Sequence, residues 1–336
     1  MLRRSSFVIL AAAVALAVAV IVVLSSPQVR AGPPPPVTIL DSASVRAAGR
    51  TIELPTRTVN GVRLVDPVGP AGPTALIPLA AAPDGRALVV SRVGRGQVGP
   101  LTIALADGSQ LDVALPGVRG AAFDPSGEWL AAVDLAGGLW RVEAQTGAAW
   151  RVADGPFGSA PTVLSDGRVL AVRLSSVDAP VWSAAVIVDV RSGVETPLAA
   201  SPNTQDQLVY QATALSDGSV ALVRHRTGGG VTVLRVTLDG VETPLMDLDV
   251  PLAAVSPDGQ WVAWAAATGR VMIAGPGTQN DVRDLGTGTG ARFSPDSSLL
   301  IIFTADGTRV VDLNGNVLVQ AGPAVCWLGD GRGCRP

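Results

Sequence analysis

The chain of 336 residues has one histidine, one tyrosine, two cysteines and no lysine. A zinc site with histidine ligands needs partners at short spacing, and a Ser-His-Asp triad needs a histidine near a nucleophilic serine. His225 has no second histidine to join, and no Gly-x-Ser-x-Gly elbow precedes a helix. The sequence therefore predicts no catalytic residue, no metal and no cofactor, and it favours His225 as a solvated loop residue.

Charge is also scarce. Charged residues make up 16% of the chain, the net charge is -3, and arginine supplies all the positive charge of the basic side chains. Without a basic cluster the chain is not expected to bind nucleic acid. Asp247 and Asp249 flank Leu248, a spacing that could serve a hydrolase or calcium, but no further ligands cluster with them. We interpret this pair as structural.

What the sequence has in abundance is one short turn, written most plainly as Ser256-Pro257-Asp258-Gly259. Proline presets the first corner, aspartate or serine bonds back to the backbone, and glycine takes the left-handed corner. Copies recur about every 34 to 51 residues, the period of a propeller blade. The other copies are Pro83-Asp84-Gly85, Pro125-Ser126-Gly127, Ser165-Asp166-Gly167, Ser216-Asp217-Gly218, Pro295-Asp296-Ser297 and Gly329-Asp330-Gly331.

Each turn lies between two apolar runs, the pattern of strand, turn and strand. A second turn follows in most copies, as at Asp239-Gly240, so each unit is predicted to hold four strands in two hairpins. Val194-Glu195-Thr196-Pro197-Leu198 recurs as Val241-Glu242-Thr243-Pro244-Leu245. Since proline cannot donate to a strand ladder, this pentapeptide predicts the exposed fourth strand. The small, alanine-rich first strands suit the innermost position.

Phe293-Ser294-Pro295-Asp296 and Val255-Ser256-Pro257-Asp258-Gly259-Gln260-Trp261 resemble the repeat of TolB-like and WD-repeat-like propellers. The resemblance covers about residues 75–336 and implies an all-β propeller fold. The motif is structural in that family, so the resemblance carries no catalytic residue to this chain. Trp129 and Trp261 both fall two residues after the turn glycine, which predicts packing between blades rather than a stacking surface.

Residues 37–74 contain Asn60-Gly61, a strong hairpin signal. Val62 with Pro67 downstream echoes the edge strands above, so the segment is predicted to be the outer hairpin of an incomplete blade. Residues 324–331 supply a first strand and its turn. The two ends are then predicted to pair and close a seven-bladed ring, with six blades as the alternative.

Residues 1–31 are predicted to be a signal peptide or an uncleaved signal anchor. Arg3-Arg4 precede an uncharged apolar run at 7–24, near the lower limit for spanning a bilayer. Small residues near Ala31 fit cleavage, and the long apolar run fits an anchor. The positive flank places residues 37–336, the propeller domain, outside the cytoplasm, tethered to the membrane or secreted. Residues 32–36 form a proline-rich linker.

The two cysteines, Cys326 and Cys334, flank the last turn symmetrically. A simple hairpin would place them opposite one another, within the range of a disulfide. An oxidising compartment favours this bond, and two free buried thiols are the alternative.

Two functions remain open. One is a non-enzymatic propeller that binds or scaffolds a protein or envelope component, and the other is a propeller hydrolase or lyase with its active site at the channel mouth. The connections at 93–99, 174–180 and 224–230 are predicted to be the longest between second and third strands. Arginines in or beside these connections, with His225, form a candidate binding rim for an anionic partner. The alternative is that the extra loop length is tolerated and has no function. The rim residues are Arg92, Arg95, Arg224, His225 and Arg226.

Overall fold

The computed structural model describes sixteen stretches of the chain, and the account below is confined to them. They are residues 43–47, 50–54, 56–59, 62–65, 74–83, 87–94, 97–105, 109–115, 117–158, 161–176, 182–198, 208–226, 228–250, 252–275, 281–321 and 326–327. Regular structure in these stretches is β-strand throughout, with no helix. Within them no helix therefore has the length and hydrophobicity to span a membrane. The predicted signal segment and the proline-rich linker lie outside the described residues.

The N-terminal strands are β1 (Ala43–Ala47), β2 (Arg50–Leu54), β3 (Thr56–Val59) and β4 (Val62–Val65). Two antiparallel four-stranded sheets follow. The first consists of β5 (Thr74–Ala81), β6 (Ala87–Gly94), β7 (Gln97–Leu105) and β8 (Gln110–Val113). The second consists of β9 (Val118–Phe123), β10 (Trp129–Asp134), β11 (Leu139–Glu143) and β12 (Ala149–Ala153). The next two comprise β13 (Thr162–Val163), β14 (Val169–Leu174), β15 (Ser183–Val188) and β16 (Glu195–Pro197), then β17 (Val209–Ala214), β18 (Val220–His225), β19 (Val231–Val236) and β20 (Glu242–Leu248).

The last two four-stranded sheets comprise β21 (Ala253–Val255), β22 (Val262–Ala265), β23 (Arg270–Ala274) and β24 (Arg283–Thr287), then β25 (Gly290–Phe293), β26 (Leu299–Thr304), β27 (Gly307–Asp312) and β28 (Val317–Ala321). In each sheet the strands pair in chain order, so each is a meander. The chain ends its described part with β29 (Cys326–Trp327). The predicted unit of four strands in two hairpins is confirmed.

The recurring turn joins the first and second strands of a sheet. Gly259 has φ +69°, and Ser297, which replaces glycine in its copy, has φ +62°. Ser256 Oγ accepts the Trp261 backbone N–H at 2.9 Å, and Asp124 Oδ1 accepts the Trp129 N–H at the same distance in the equivalent place. A side-chain oxygen there satisfies a backbone donor at the start of the second strand, which stabilises the turn.

The hydrophobic core lies between neighbouring sheets. In β10, Trp129, Ala131 and Val133 pack toward the β13–β16 sheet, whereas Leu130 and Ala132 pack toward the β5–β8 sheet. This alternation follows from the two-residue period of a strand with both faces covered. Trp129 is 6% exposed. The predicted packing role of Trp129 is confirmed.

The pentapeptide prolines also lie where the sequence predicted them. Pro197 is in β16 and Pro244 is in β20, and both strands are the outermost of their sheets. The ladder between β19 and β20 shifts register at Val233/Leu234, beside the partner of Pro244. An edge strand tolerates a missing donor because one of its sides has no partner.

The two ends of the propeller domain meet in one three-stranded sheet of order β29-β4-β3. Cys326 pairs with Val65 and Trp327 with Leu64, so pairing of N- and C-terminal segments is present. The predicted place of Val62–Val65 is wrong, because β4 is the middle strand and not the outer edge. Pro67 lies beyond the strand, so β4 keeps its own donors and can pair on both sides.

Candidate binding face and central cavity

The first strands of the six four-stranded sheets line one shared cavity. Its volume is about 360 Å³, and residues of β5, β9, β13, β17, β21 and β25 contribute to its wall. Small side chains dominate the wall, as Ala253, Ala254 and Ala291 illustrate. The alanine-rich first strands expected from the sequence therefore surround a common axis.

At one end of the cavity the wall becomes polar and aromatic. Arg119, near the start of β9, and Tyr210, near the start of β17, line both this cavity and an adjoining one of about 250 Å³. Arg119 Nε donates to the Leu135 carbonyl at 3.0 Å. Tyr210 is 42% exposed and meets the His225 ring edge-on, with the ring centroids 6.1 Å apart. We call this end the mouth and define it by Arg119, Leu135, Tyr210, His225 and Leu252.

The mouth lies on the face where second strands lead to third strands. β18 ends at His225, next to the start of β17, and the His225 N–H donates to the Leu208 carbonyl at 2.7 Å. Arg224 and His225 are in the strand, and the Arg226 N–H donates to the Gly230 carbonyl at 3.1 Å where the chain turns into β19. The predicted rim residues of this sheet thus adjoin the cavity mouth, with Tyr210 beside them.

Carboxylates balance the rim arginines. Arg224 makes two hydrogen bonds of 3.0 Å with Glu242, one from each terminal nitrogen. Arg226 pairs with Asp249, and its Nη1 lies 3.7 Å from Asp247 Oδ2. The positive patch predicted at this rim is therefore offset by neighbouring acids. Asp247 and Asp249 hold an arginine, in agreement with their structural interpretation.

Of the other two predicted rim arginines, one is described, in the β5–β8 sheet. Arg92 is a residue of β6, opposite Leu76 of β5, and Arg95 lies outside the described residues. The prediction of a long connection at 93–99 is wrong. Val93 pairs with Val98 and Gly94 with Gln97, so strand pairing continues through most of the predicted loop.

Of the two cysteines, Cys326 is placed in β29 and Cys334 lies outside the described residues. The disulfide between them stays a prediction. In the described part of the chain, no three His, Cys, Asp or Glu side chains are grouped so that they could hold a metal ion.

Three residues of the cavity wall were not predicted from the sequence: Arg119, Arg292 and Tyr210. A signal was present, because each interrupts a first strand of small or apolar residues: Val118–Phe123, Gly290–Phe293 and Val209–Ala214. A long polar side chain on a strand that should be small marks a position facing open space.

No family model matches this sequence, and no curated protein sequence matches it. Solved structures do resemble it. An oligogalacturonate lyase in complex with manganese shares 14% identity over 80% of this chain and 84% of its own, with a TM-score of 0.60. The β-propeller domain of Cps50 (Swd1) from Myceliophteria thermophila shares 12% identity over 80% of this chain and 98% of its own, with a TM-score of 0.54. Tricorn protease shares 11% identity over 81% of this chain and 34% of its own, with a TM-score of 0.55.

This chain has the β-propeller fold. At such identities the likeness establishes the fold alone. The propeller resemblance inferred from the repeated turn is thereby confirmed, and the narrower TolB-like resemblance stays a prediction.

Proposed function

We propose that this chain is an extracytoplasmic, non-enzymatic β-propeller of seven blades that binds or scaffolds a protein or envelope component. Six four-stranded sheets together with the β29-β4-β3 sheet support seven blades rather than six. The three-stranded sheet draws strands from both ends of the domain, which favours a ring held closed by its termini. A closed ring is a rigid support on which loops and strand ends can carry a binding surface.

The observation that carries the proposal is the exposed apolar rim of the cavity mouth. Leu252 is 57% exposed, Tyr210 is 42% exposed and Leu135 is 40% exposed. All three lie at first-strand starts or a second-strand end on the face of the mouth, and large apolar side chains exposed on one face beside polar groups are typical of interaction sites. Tyrosine in addition buries a large area at low entropic cost and keeps a hydroxyl for hydrogen bonding.

Charged groups frame the same face. Arg226, Asp247 and Asp249 form an exposed cluster in the same blade as Tyr210, where a partner would meet alternating charges rather than a single sign. Such a frame sets orientation and partner choice more than affinity.

Location outside the cytoplasm rests on Arg3-Arg4 and the apolar run at residues 7–24. The expected result is that added protease digests residues 37–336 in intact spheroplasts, while a cytoplasmic marker survives. Full protection of the domain would overturn the proposed orientation.

The binding face is tested by site-specific photo-cross-linking in cells. A photoreactive amino acid replaces Leu252 at the mouth, and the control replaces Val241, which is 58% exposed and lies in the turn at the opposite strand ends. We expect discrete adducts from position 252, identified by mass spectrometry, and none of the same adducts from position 241. Equal labelling from both positions, or no adduct from either, contradicts the proposed face.

An enzyme with its active site at the same mouth is the second candidate. The contact between Tyr210 and His225 favours it, because both side chains can transfer protons. A panel of hydrolase and lyase substrates, assayed with the purified chain and with Tyr210→Phe, separates the two functions. Turnover that falls in the variant would replace the binding proposal with the enzymatic one.

A further inference from the structure

Arg119 brings a positive charge into a cavity that contains no described acidic wall residue. The walls of the central cavity and of the adjoining one include Arg119 but neither aspartate nor glutamate. Arg292, from β25, adds a second cationic side chain to the central wall. A concave site of one sign with low-dielectric walls raises the local concentration of oppositely charged ligands.

The guanidinium of Arg119 is oriented but not neutralised. Its Nε donates to the Leu135 carbonyl, which fixes the plane of the group. Among the described residues no carboxylate pairs with it, whereas Arg224 is engaged by Glu242 and Arg173 by Glu195. Its two terminal nitrogens are therefore left for a ligand, and a planar guanidinium fork matches a carboxylate through two parallel hydrogen bonds.

The rest of the cavity wall suits the body of a small organic molecule. Tyr210 supplies an exposed ring, and Gln211 and Thr213 supply polar atoms that already bond to each other at 3.2 Å. A volume of about 360 Å³ falls in the range of small-molecule sites. Alanines of the inner strands provide an apolar wall.

We propose that the central cavity binds a small organic carboxylate, with Arg119 pairing to the carboxylate and Tyr210 covering the apolar part. This ligand is a different molecule from the macromolecular partner proposed above: it lies inside the cavity, and Tyr210 and Leu252 line both the cavity and the rim. The inference holds or fails independently of cross-linking at position 252.

The test compares matched ligands on the full-length chain purified in mild detergent. Benzoate and benzamide have the same ring and nearly the same shape, but only benzoate carries a charge. Saturation-transfer NMR titrations give the two dissociation constants. We expect benzoate to bind at least about tenfold more tightly, the order of magnitude of one charge-assisted pair. Phenyl phosphate is the third probe, and tighter binding of this ligand than of benzoate overturns the assignment to a carboxylate.

Three variants locate the site. Arg119→Gln should abolish the preference for benzoate, and Arg119→Lys should weaken benzoate binding but keep the preference, because it retains the charge without the fork. Arg191→Gln, in an exposed turn between third and fourth strands, should change nothing. Two results with the wild-type chain overturn the proposal even if a variant fails to fold: equal affinity for benzoate and benzamide, or no binding of benzoate. An undiminished preference for benzoate over benzamide in folded Arg119→Gln also overturns it.

Discussion

Arg224 and Glu242 lie on the second and fourth strands of one blade and join through two hydrogen bonds of 3.0 Å. Arg173 and Glu195 occupy the corresponding strands of the preceding blade, with Nε and Oε2 3.5 Å apart. In both blades the glutamate belongs to the repeated Val-Glu-Thr-Pro-Leu pentapeptide. The pentapeptide therefore contributes both an edge proline and an acid that neutralises an arginine across the third strand.

Breaking the Arg224 pair should destabilise the propeller. The side chains of Arg224 and Glu242 are 21% and 29% exposed, so Glu242→Gln leaves a largely buried charge without its counter-ion. We expect a loss of about 1–2 kcal/mol in the free energy of unfolding, measured by urea denaturation. Glu128→Gln, at an exposed position, is the control and should cost less than about 0.5 kcal/mol.

The double variant Arg224→Met with Glu242→Gln decides whether the pair itself is responsible. Because each single change removes the same interaction, the two losses should not add, and a coupling of about 1 kcal/mol is expected. Simple additivity would mean that the two residues act separately.

Glycines in the turns between third and fourth strands set the distance between blades. A Cβ on Gly193, whose φ is +72°, would lie 2.5 Å from the Val152 carbonyl oxygen of the preceding blade. Gly218, in the turn between the first and second strands of its blade, has φ +82°, but a Cβ there would meet no described atom within 4 Å. Both Gly→Ala variants incur the left-handed cost of about 1–2 kcal/mol, and only Gly193→Ala adds a clash with backbone.

We therefore expect Gly193→Ala to lower the melting temperature clearly more than Gly218→Ala. Thermal unfolding followed by circular dichroism measures both. Equal shifts would show that backbone conformation alone, and not contact between blades, selects glycine at position 193.

Acid should weaken the recurring turn at Asp217. The Ser219 hydroxyl, which donates to this carboxylate, is the main cause of its lowered pKa, and Ser219 N–H and Arg235 act in the same direction against burial. Because the folded pKa is depressed, the stabilisation is present above the ordinary value of 3.8 and is lost as the pH falls through the folded value.

Ser219→Ala should raise the pKa of Asp217 toward 3.8 in a carboxyl-carbon NMR titration. The stability difference between wild type and this variant should shrink on acidification. Ser165→Ala is the control, and it should leave the pKa of the neighbouring Asp166 unchanged. The side chain of Arg168 is the main cause of the lowered pKa of Asp166. An unchanged Asp217 titration in Ser219→Ala would contradict the assigned cause.

Local signals in the sequence were enough to predict the turns, the meander of four strands and the edge prolines. Turn chemistry at Ser256-Pro257-Asp258-Gly259 and the missing donor of Pro244 act within a few residues. The place of Val62–Val65 depends on β29, far away in the chain. Interpreting Pro67 as an edge proline therefore led to a wrong prediction. Arg119 and Tyr210 belong to different blades and line the same cavity only because the inner strands surround it together. No local pattern contains that relationship.

We propose that β29 closes the ring by pairing with β4, with Trp327 as its buried anchor. The side chain is 2% exposed, and the strand pairs with β4 at Leu64. Trp327→Ala should cost about 3–5 kcal/mol, the usual loss for a large aromatic residue removed from a core. Trp150→Ala, with a side chain that is 42% exposed on an edge strand, should cost far less.

Trp327→Phe refines this prediction, because Trp327 Nε1 is a buried donor with no hydrogen-bond partner among the described residues. Removing an unsatisfied donor recovers its desolvation penalty, so phenylalanine should cost much less than alanine.

Hydrogen exchange at residues 62–65 provides the local readout. Exchange there should accelerate in Trp327→Ala and remain slow in Trp150→Ala, because only the former loosens the strand that pairs with β4. Unchanged protection at 62–65 in Trp327→Ala would show that β4 is held without β29 and that the termini do not close the ring.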